Sequence, residues 1–486
     1  MRETTKRWVL AATLLAVTVL AVVIAMNAPE SAYVLPDDET PVWISMGGRT
    51  VHLPLLCFCL CLGWCAAWLG WEFARRVLRP QRITFLLLIG MGTMLSLVKP
   101  AITAYGWDEG VHRIHTYIFS GRDGYSAADY MSAFNTWFFG YIPYSVGIGL
   151  GTALGVSEGW ALRMGFLCGA VCYAVLCALA VKHTPKYKLT MMTIAALPTC
   201  AMIAASVSYD GMVIACCLLG TALLMEELDQ PQKLLTGNRA VAMVSVMTLG
   251  TLPKPAYSFI LLALWLLPAT KFSSRRRCAA FKLFVLVIFL LCMASMLLGM
   301  YDDILPGDDR MDDTDSAGQI AYILHNPAAF LAMVGQYLCT VFLGLFRDAP
   351  AMWNAIFQDR TASVALWAVL LILCPLCMAG EETSSKLLTP RRRIALGLWS
   401  LIPLFALMMA QYVVSTPVAK ATIDGMQPRY VLPVLAPLCL AVMLPEKLRG
   451  KCRPARRWIM LAVTCLLLYL TFQSGYDYIL SGIYGL

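Results

Sequence analysis

Long apolar runs, separated by short loops rich in lysine and arginine, restrict this chain to very few folds. A run of about 20 mostly apolar residues matches the hydrocarbon thickness of a bilayer. No water is present in that layer, so every backbone N–H and C=O must be paired within the protein, and an α-helix does so within a single segment. The runs fall at 8–26, 51–73, 83–99, 160–181, 188–206, 211–226, 239–253, 256–270, 280–300, 362–380, 394–413, 429–445 and 458–474. The expected fold class is an all-α integral membrane protein, a polytopic bundle of about thirteen transmembrane helices.

Composition agrees. Of 486 residues, 59% are hydrophobic and 14% charged, whereas soluble domains carry about 25% charged residues. The net charge of +9 sits at the ends of apolar runs. That is the pattern that orients membrane helices, not a basic surface for a duplex, so nucleic acid is excluded as a partner. Most of the 18 cysteines, such as Cys57, Cys59, Cys61 and Cys65, lie inside apolar runs. There they act as small apolar residues, and neither a metal nor a disulfide framework is expected. The basic start at Arg2, Lys6 and Arg7 precedes an apolar stretch to Ala25. This is longer than the roughly 7–15 residues of a signal-peptide core, so it reads as a first span. Cleavage near Ala28 is the alternative.

With a cytoplasmic N-terminus, the basic groups at 75–82, 182–188, 233–239, 271–282, 386–393 and 447–457 all fall on the cytoplasmic side of the membrane. The acidic groups Asp37, Asp38, Glu39 and the Asp-rich stretch 302–315 fall outside. That stretch lacks the acid spacing, glycine and glutamate of a calcium loop and reads as a solvated loop. Two more apolar stretches, 142–156 and 328–346, would reverse this order if either crossed alone. They read as interfacial helices in the outer loops, or helices that dip in and return. The chain then divides into two extra N-terminal helices (1–82), a membrane domain (83–445) with outer loops 100–159 and 301–361, and a basic loop with the last helix (446–486).

The residues able to carry chemistry collect on the outer side. Trp107-Asp108-Glu109-Gly-Val-His112-Arg113-Ile-His115 follows the third span. On a helix, Asp108, His112 and His115 share one face. Asp108 or Glu109 suits a general base taking a proton from an attacking hydroxyl, with His112 and His115 beside it. The competing readings are a solvated loop and a divalent-cation site of Asp and His. Asp210, in Ser208-Tyr209-Asp210-Gly211, is either a helix cap or an acid at the membrane boundary, where such groups are functional candidates. Lys254 lies between Pro253 and Pro255, and Arg429 in Gln427-Pro428-Arg429-Tyr430. Both, with Arg163, suit a phosphate; the plain alternative is snorkelling to the interface. No GxSxG, Walker or HExxH pattern occurs.

Four of these motifs in order resemble the bacterial membrane proteins of the domain of unknown function 2142 family: Trp107–His112, Ser208-Tyr209-Asp210, Leu252-Pro253-Lys254-Pro255-Ala256-Tyr257, and Gln427-Pro428-Arg429-Tyr430-Val431-Leu432-Pro433. That family is similar to the C-type glycosyltransferase (GT-C) superfamily, whose donors are polyprenyl-phosphate sugars and whose first outer loop carries a catalytic acid. The resemblance implies Asp108 or Glu109 as base for the acceptor and Asp210 as a second acid. It implies Lys254 and Arg429 as holders of the lipid phosphate. The expected partners are a polyprenyl-phosphate-linked sugar and membrane lipid. No cofactor is implied beyond a divalent cation, if one is used. The expected function is a membrane glycosyltransferase acting on a cell-envelope acceptor at the outer face. A transporter or flippase of lipid-linked glycans and a non-catalytic membrane scaffold are the alternatives.

Overall fold

The computed structural model describes residues 3–27, 43–46, 49–75, 77–98, 109–120, 138–299, 314–347, 388–423, 428–441 and 456–480. The elements in order are α1 (Glu3–Met26), β1 (Trp43–Met46), β2 (Arg49–His52), α2 (Leu53–Phe73), α3 (Pro80–Val98), α4 (Glu109–Phe119), α5 (Phe138–Ala153) and α6 (Glu158–His183). There follow α7 (Lys188–Ala195), α8 (Pro198–Ala204), α9 (Asp210–Asp229), α10 (Gly237–Thr251), a 3₁₀ helix (Pro255–Leu266) and α11 (Arg275–Gly299). The last are α12 (Ser316–His325), α13 (Pro327–Arg347), α14 (Pro390–Val414), a 3₁₀ turn (Pro428–Val431), α15 (Leu432–Ala441) and α16 (Arg456–Leu480). The short antiparallel ribbon β1–β2 is the one sheet among the described residues.

The chain is a helical membrane protein. Among the described residues seven helices are long and apolar enough to cross a membrane: α1, α2, α3, α6, α9, α11 and α14. Other apolar runs take different forms. The run 188–206 divides at Pro198 into α7 and α8, because a proline lacks the N–H that would continue a helix. The run 256–270 forms a 12-residue 3₁₀ helix, where 3₁₀ runs beyond 3–4 residues are uncommon. The run 429–445 opens with a 3₁₀ turn before α15. The run 362–380 and the acidic stretch 302–313 lie outside the described residues.

Local chemistry sets the helix starts. His52 Nδ1 accepts the Leu55 N–H at 3.1 Å at the head of α2. Thr236 and Thr389 hydroxyls accept N–H groups at the heads of α10 and α14. Asp315 Oδ1 accepts the Gly318 N–H at 2.9 Å at the head of α12. Each satisfies one of the four N–H groups that a helix start leaves without an internal partner.

The stretch 142–156 is α5, which does not run alone. It turns back at Gly155, whose φ of +68° suits glycine. Gly155 N–H donates to the Thr152 carbonyl and Val156 N–H to the Gly151 carbonyl, the two bonds of a Schellman cap. The returning α6 packs against α5 through small residues. A Cβ at Gly147 would meet the Met164 carbonyl and stand 2.7 Å from the Gly165 Cα. One at Gly151 would stand 2.7 Å from the Ala161 Cα, and one at Gly169 would run into the Tyr144 ring. Glycine spacing of this kind lets membrane helices approach closely. So α5 lies along the first half of α6, with Val146, Leu150 and Leu154 exposed on its far side. Gly147→Leu should lower stability by about 1–3 kcal/mol, because the obstacle is backbone. Gly237→Ala, where a Cβ meets nothing within 4 Å, should leave the melting temperature in detergent nearly unchanged.

A buried core formed by α3, α6–α9, the long 3₁₀ helix and α15 joins these pieces. At one end of α9, Glu226 pairs with His183 at 2.9 Å and with Arg239. Glu227 pairs there with Arg239 at 3.0 Å and with the fully buried Lys271 at 2.5 Å. Three basic loops thus meet at one end of the bundle. Asp210 opens the opposite end of the same helix, about 24 Å away at 1.5 Å per residue.

Candidate functional site

Asp210 is the first residue of α9, after the N-cap residue Tyr209. Its N–H donates to Ser208 Oγ at 3.2 Å. An acid in the first turn is favoured by the helix dipole, but its carboxylate also holds two cations. Lys254 Nζ lies 2.7 Å from Oδ1 and Arg429 Nε 3.1 Å from Oδ2. All three side chains are largely buried.

The cations arrive from breaks in the fold. Lys254 follows the end of α10 and precedes Pro255, which opens the long 3₁₀ helix. A residue before proline is driven out of the helical region, and Lys254 sits at φ −136°, ψ 82°. Arg429 lies in the 3₁₀ turn Pro428–Val431. The Tyr257 hydroxyl donates to the Tyr430 carbonyl at 2.6 Å, tying the two breaks together.

Aromatic rings surround the charges. Lys254 Nζ lies 4.1 Å from the Tyr430 ring centre and 5.1 Å from that of Tyr209. The Arg429 guanidinium lies 5.5 Å from the Tyr430 ring. Cation–π contacts strengthen when desolvated, so the collar favours the charged form of Lys254. From α4, His112 meets the Tyr209 ring edge-on at 4.8 Å and bonds to the Tyr141 hydroxyl. His115 stacks on Tyr141 at 5.5 Å. Tyr141 reaches Tyr209 at 5.7 Å.

The ionisations follow from these surroundings. Burial alone would lower the Lys254 pKa, but the Asp210 carboxylate outweighs it and raises it. Burial pushes the Tyr209 hydroxyl up to about 12, so it stays protonated and able to donate. Burial pushes His115 below its usual 6.5. As pH falls through 6.5 the unfolded chain binds a proton that folded His115 refuses, so stability declines on the acid side. His115→Gln should flatten that decline, measured by thermal unfolding from neutral pH downwards.

Three of the residues singled out in the sequence, Asp210, Lys254 and Arg429, therefore form one cluster, with Tyr209, His112 and His115 in the adjoining ring of contacts. Asp108 lies outside the described residues, and Glu109 is the first residue of α4 with its side chain outside them. Arg163 is placed elsewhere. It donates to the Ser96 and Leu97 carbonyls at 3.2 and 2.7 Å, at the C-terminal end of α3. Among the described residues no group of acids, histidines and cysteines has the arrangement of a metal site. The structure adds Tyr141, Tyr257 and Tyr430. For Tyr257 and Tyr430 the signal in the sequence is weak, a tyrosine two positions after a proline in Pro255-Ala256-Tyr257 and Pro428-Arg429-Tyr430.

Among the described residues, Asp210 is the one acid bonded to both cations, two positive groups on one carboxylate. Net charge in a desolvated place is expensive, so the arrangement suits a second anion, and guanidinium with ammonium suits phosphate oxygens. A family model described as predicted membrane protein (DUF2142) matches residues 138–439. The match takes in Asp210, Lys254 and Arg429 and begins after α4. Comparison with curated proteins and with solved structures found no match.

Proposed function

The chain belongs to the DUF2142 family of predicted membrane proteins, and from that premise we propose that it is a membrane glycosyltransferase. It takes a sugar from a polyprenyl-phosphate donor at the non-cytoplasmic face and passes it to a cell-envelope acceptor. The observation that carries this reading is the buried Asp210–Lys254–Arg429 cluster, which gathers an ammonium and a guanidinium at one place. Lys254 and Arg429 hold the donor phosphate, and Asp210 keeps both cations in place until it arrives. Asp108 or Glu109, at the head of the helix that carries His112, takes the proton from the acceptor hydroxyl. The acceptor oxygen attacks the anomeric carbon, the bond to the lipid phosphate breaks, and the leaving phosphate keeps the electron pair. Direct displacement of this kind inverts the anomeric centre. The remaining assignments, bacterial plasma membrane and cytoplasmic N-terminus, rest on the basic loops that gather opposite the cluster.

A deletion strain should accumulate one polyprenyl-linked sugar. The wild-type gene should clear it, and Arg429→Gln should not. Clearance by Arg429→Gln at the wild-type rate would overturn the reading.

A transporter or flippase of lipid-linked glycans is the second reading. The interrupted helices at Pro198 and at Pro253-Lys254-Pro255 favour it, since discontinuous helices mark many transport sites. It needs the cations but no base, so it predicts that Asp108→Asn with Glu109→Gln keeps full activity.

A further inference from the structure

At the end of the bundle remote from Asp210, α1 and α2 enclose a groove of about 470 Å³. The two helices are joined near the β-ribbon by Ala21, Ala25, Val51 and Leu56. They touch again where a Cβ at Gly63 would run into Val17. Beyond that point they part. Val9 and Thr13 of α1 face Ala67, Gly70 and Trp71 of α2, and Arg75 stands at the mouth. A Cβ at Gly70 would meet nothing within 4 Å, so the floor of the groove is open.

The mouth is strongly cationic. Arg75 lies 3.5 Å from Glu72 and over the Trp71 ring at 5.9 Å. Arg82 lies 3.7 Å from the same carboxylate. Arg457 donates to the Phe73 carbonyl and, at 3.3 Å, to that of Arg75. Among the described residues, two guanidinium groups share the Glu72 carboxylate and a third sits on the neighbouring carbonyls, so positive groups outnumber the acid. An apolar slot whose wall atoms lack partners forfeits dispersion contacts, and α1 lies almost wholly outside the protein core, with only 11% of its apolar window buried.

We propose that this groove is a binding site for an anionic glycerophospholipid, with one acyl chain between α1 and α2 and its phosphate on Arg75. The charge at the mouth selects the occupant: a zwitterionic lipid brings its own cation, whereas an anionic head group supplies what the three arginines lack. The bound lipid then holds α1 to the bundle along the half where protein contacts are few. The site is independent of the outer cluster and of the chemistry assigned there.

The test uses the full-length protein in nanodiscs with a phosphatidylglycerol probe carrying a photoactivatable acyl chain. Labelling should concentrate on 9–17 and 63–75. Unlabelled phosphatidylglycerol should displace it, and phosphatidylcholine at the same concentration should not. Gly70→Leu should lose most of the labelling at an unchanged melting temperature. Arg75→Gln should weaken the preference for phosphatidylglycerol about fivefold. Labelling spread evenly over the lipid-facing helices, equal competition by phosphatidylcholine, or crosslinks between two copies at this face would overturn the proposal. Should Gly70→Leu fail to fold, the competition on wild type and on Arg75→Gln decides.

Discussion

Replacing Asp210 by alanine should destabilise the protein by about 3–5 kcal/mol, the usual consequence of removing one partner from a buried ion pair. Here the single change takes the carboxylate from two cations, Lys254 and Arg429, both buried and both bonded to it. Asp210→Asn should be milder, since the amide oxygen still accepts one hydrogen bond. Joining Lys254→Met to Asp210→Ala should recover part of the loss, because it removes one of the two charges that the carboxylate had paired. Thermal unfolding in detergent measures all three. A near-neutral Asp210→Ala would mean that the carboxylate does not hold the cations. The effect is expected to exceed that of any glycine substitution between α5 and α6.

The second large effect concerns transfer rather than stability. Asp108→Asn with Glu109→Gln should reduce sugar transfer by about 10²–10⁴-fold, the range that a positioned general base supplies. Membrane insertion should stay as in wild type, because neither residue lies in an apolar run that crosses the membrane. Arg429→Lys is the instructive comparison. It keeps the charge but loses the planar fork that meets two phosphate oxygens at once, so donor affinity should fall while the acceptor step is spared. Full transfer by the Asp108–Glu109 variant would remove the base and leave the transport reading in possession of the site.

The long helices were legible because their signal is length. Helices α1, α2, α3, α6, α9, α11 and α14 each satisfy the roughly 20-residue requirement of a bilayer, and each lies where an apolar run predicts one. Where the chain departs from simple crossing, hydropathy says nothing about direction. Pro198 breaks 188–206 into two short helices, and Pro255 opens a 3₁₀ helix where the sequence predicts an ordinary span. The prolines were visible, but a proline ends or bends a helix without stating which. The turn of α5 onto α6 rests on Gly155 and on facing glycines at 147, 151, 165 and 169. Those contacts are set by the partner helix, so no local pattern announces them.

The site was legible as residue types and not as a cluster. Asp210, Lys254 and Arg429 stand out because isolated charges beside apolar runs are rare and functional. That Asp210 bonds both cations is a long-range fact, linking positions 44 and 219 residues apart. Arg163 carries the same outward signal as Arg429, yet its guanidinium caps the end of α3. An arginine entering a span looks identical in sequence whether it meets a ligand or a row of carbonyls. The tyrosines were hardest to read, since an interfacial tyrosine and a collar around a lysine share one composition.

The most direct test is binding of polyprenyl phosphate, the leaving group of the proposed donor, against the uncharged polyprenol, by the protein in nanodiscs. The account predicts that wild type binds the phosphate and not the alcohol, and that Arg429→Gln loses about tenfold in affinity for the phosphate alone. Equal binding of phosphate and alcohol by wild type, or an affinity unmoved by Arg429→Gln, would contradict it.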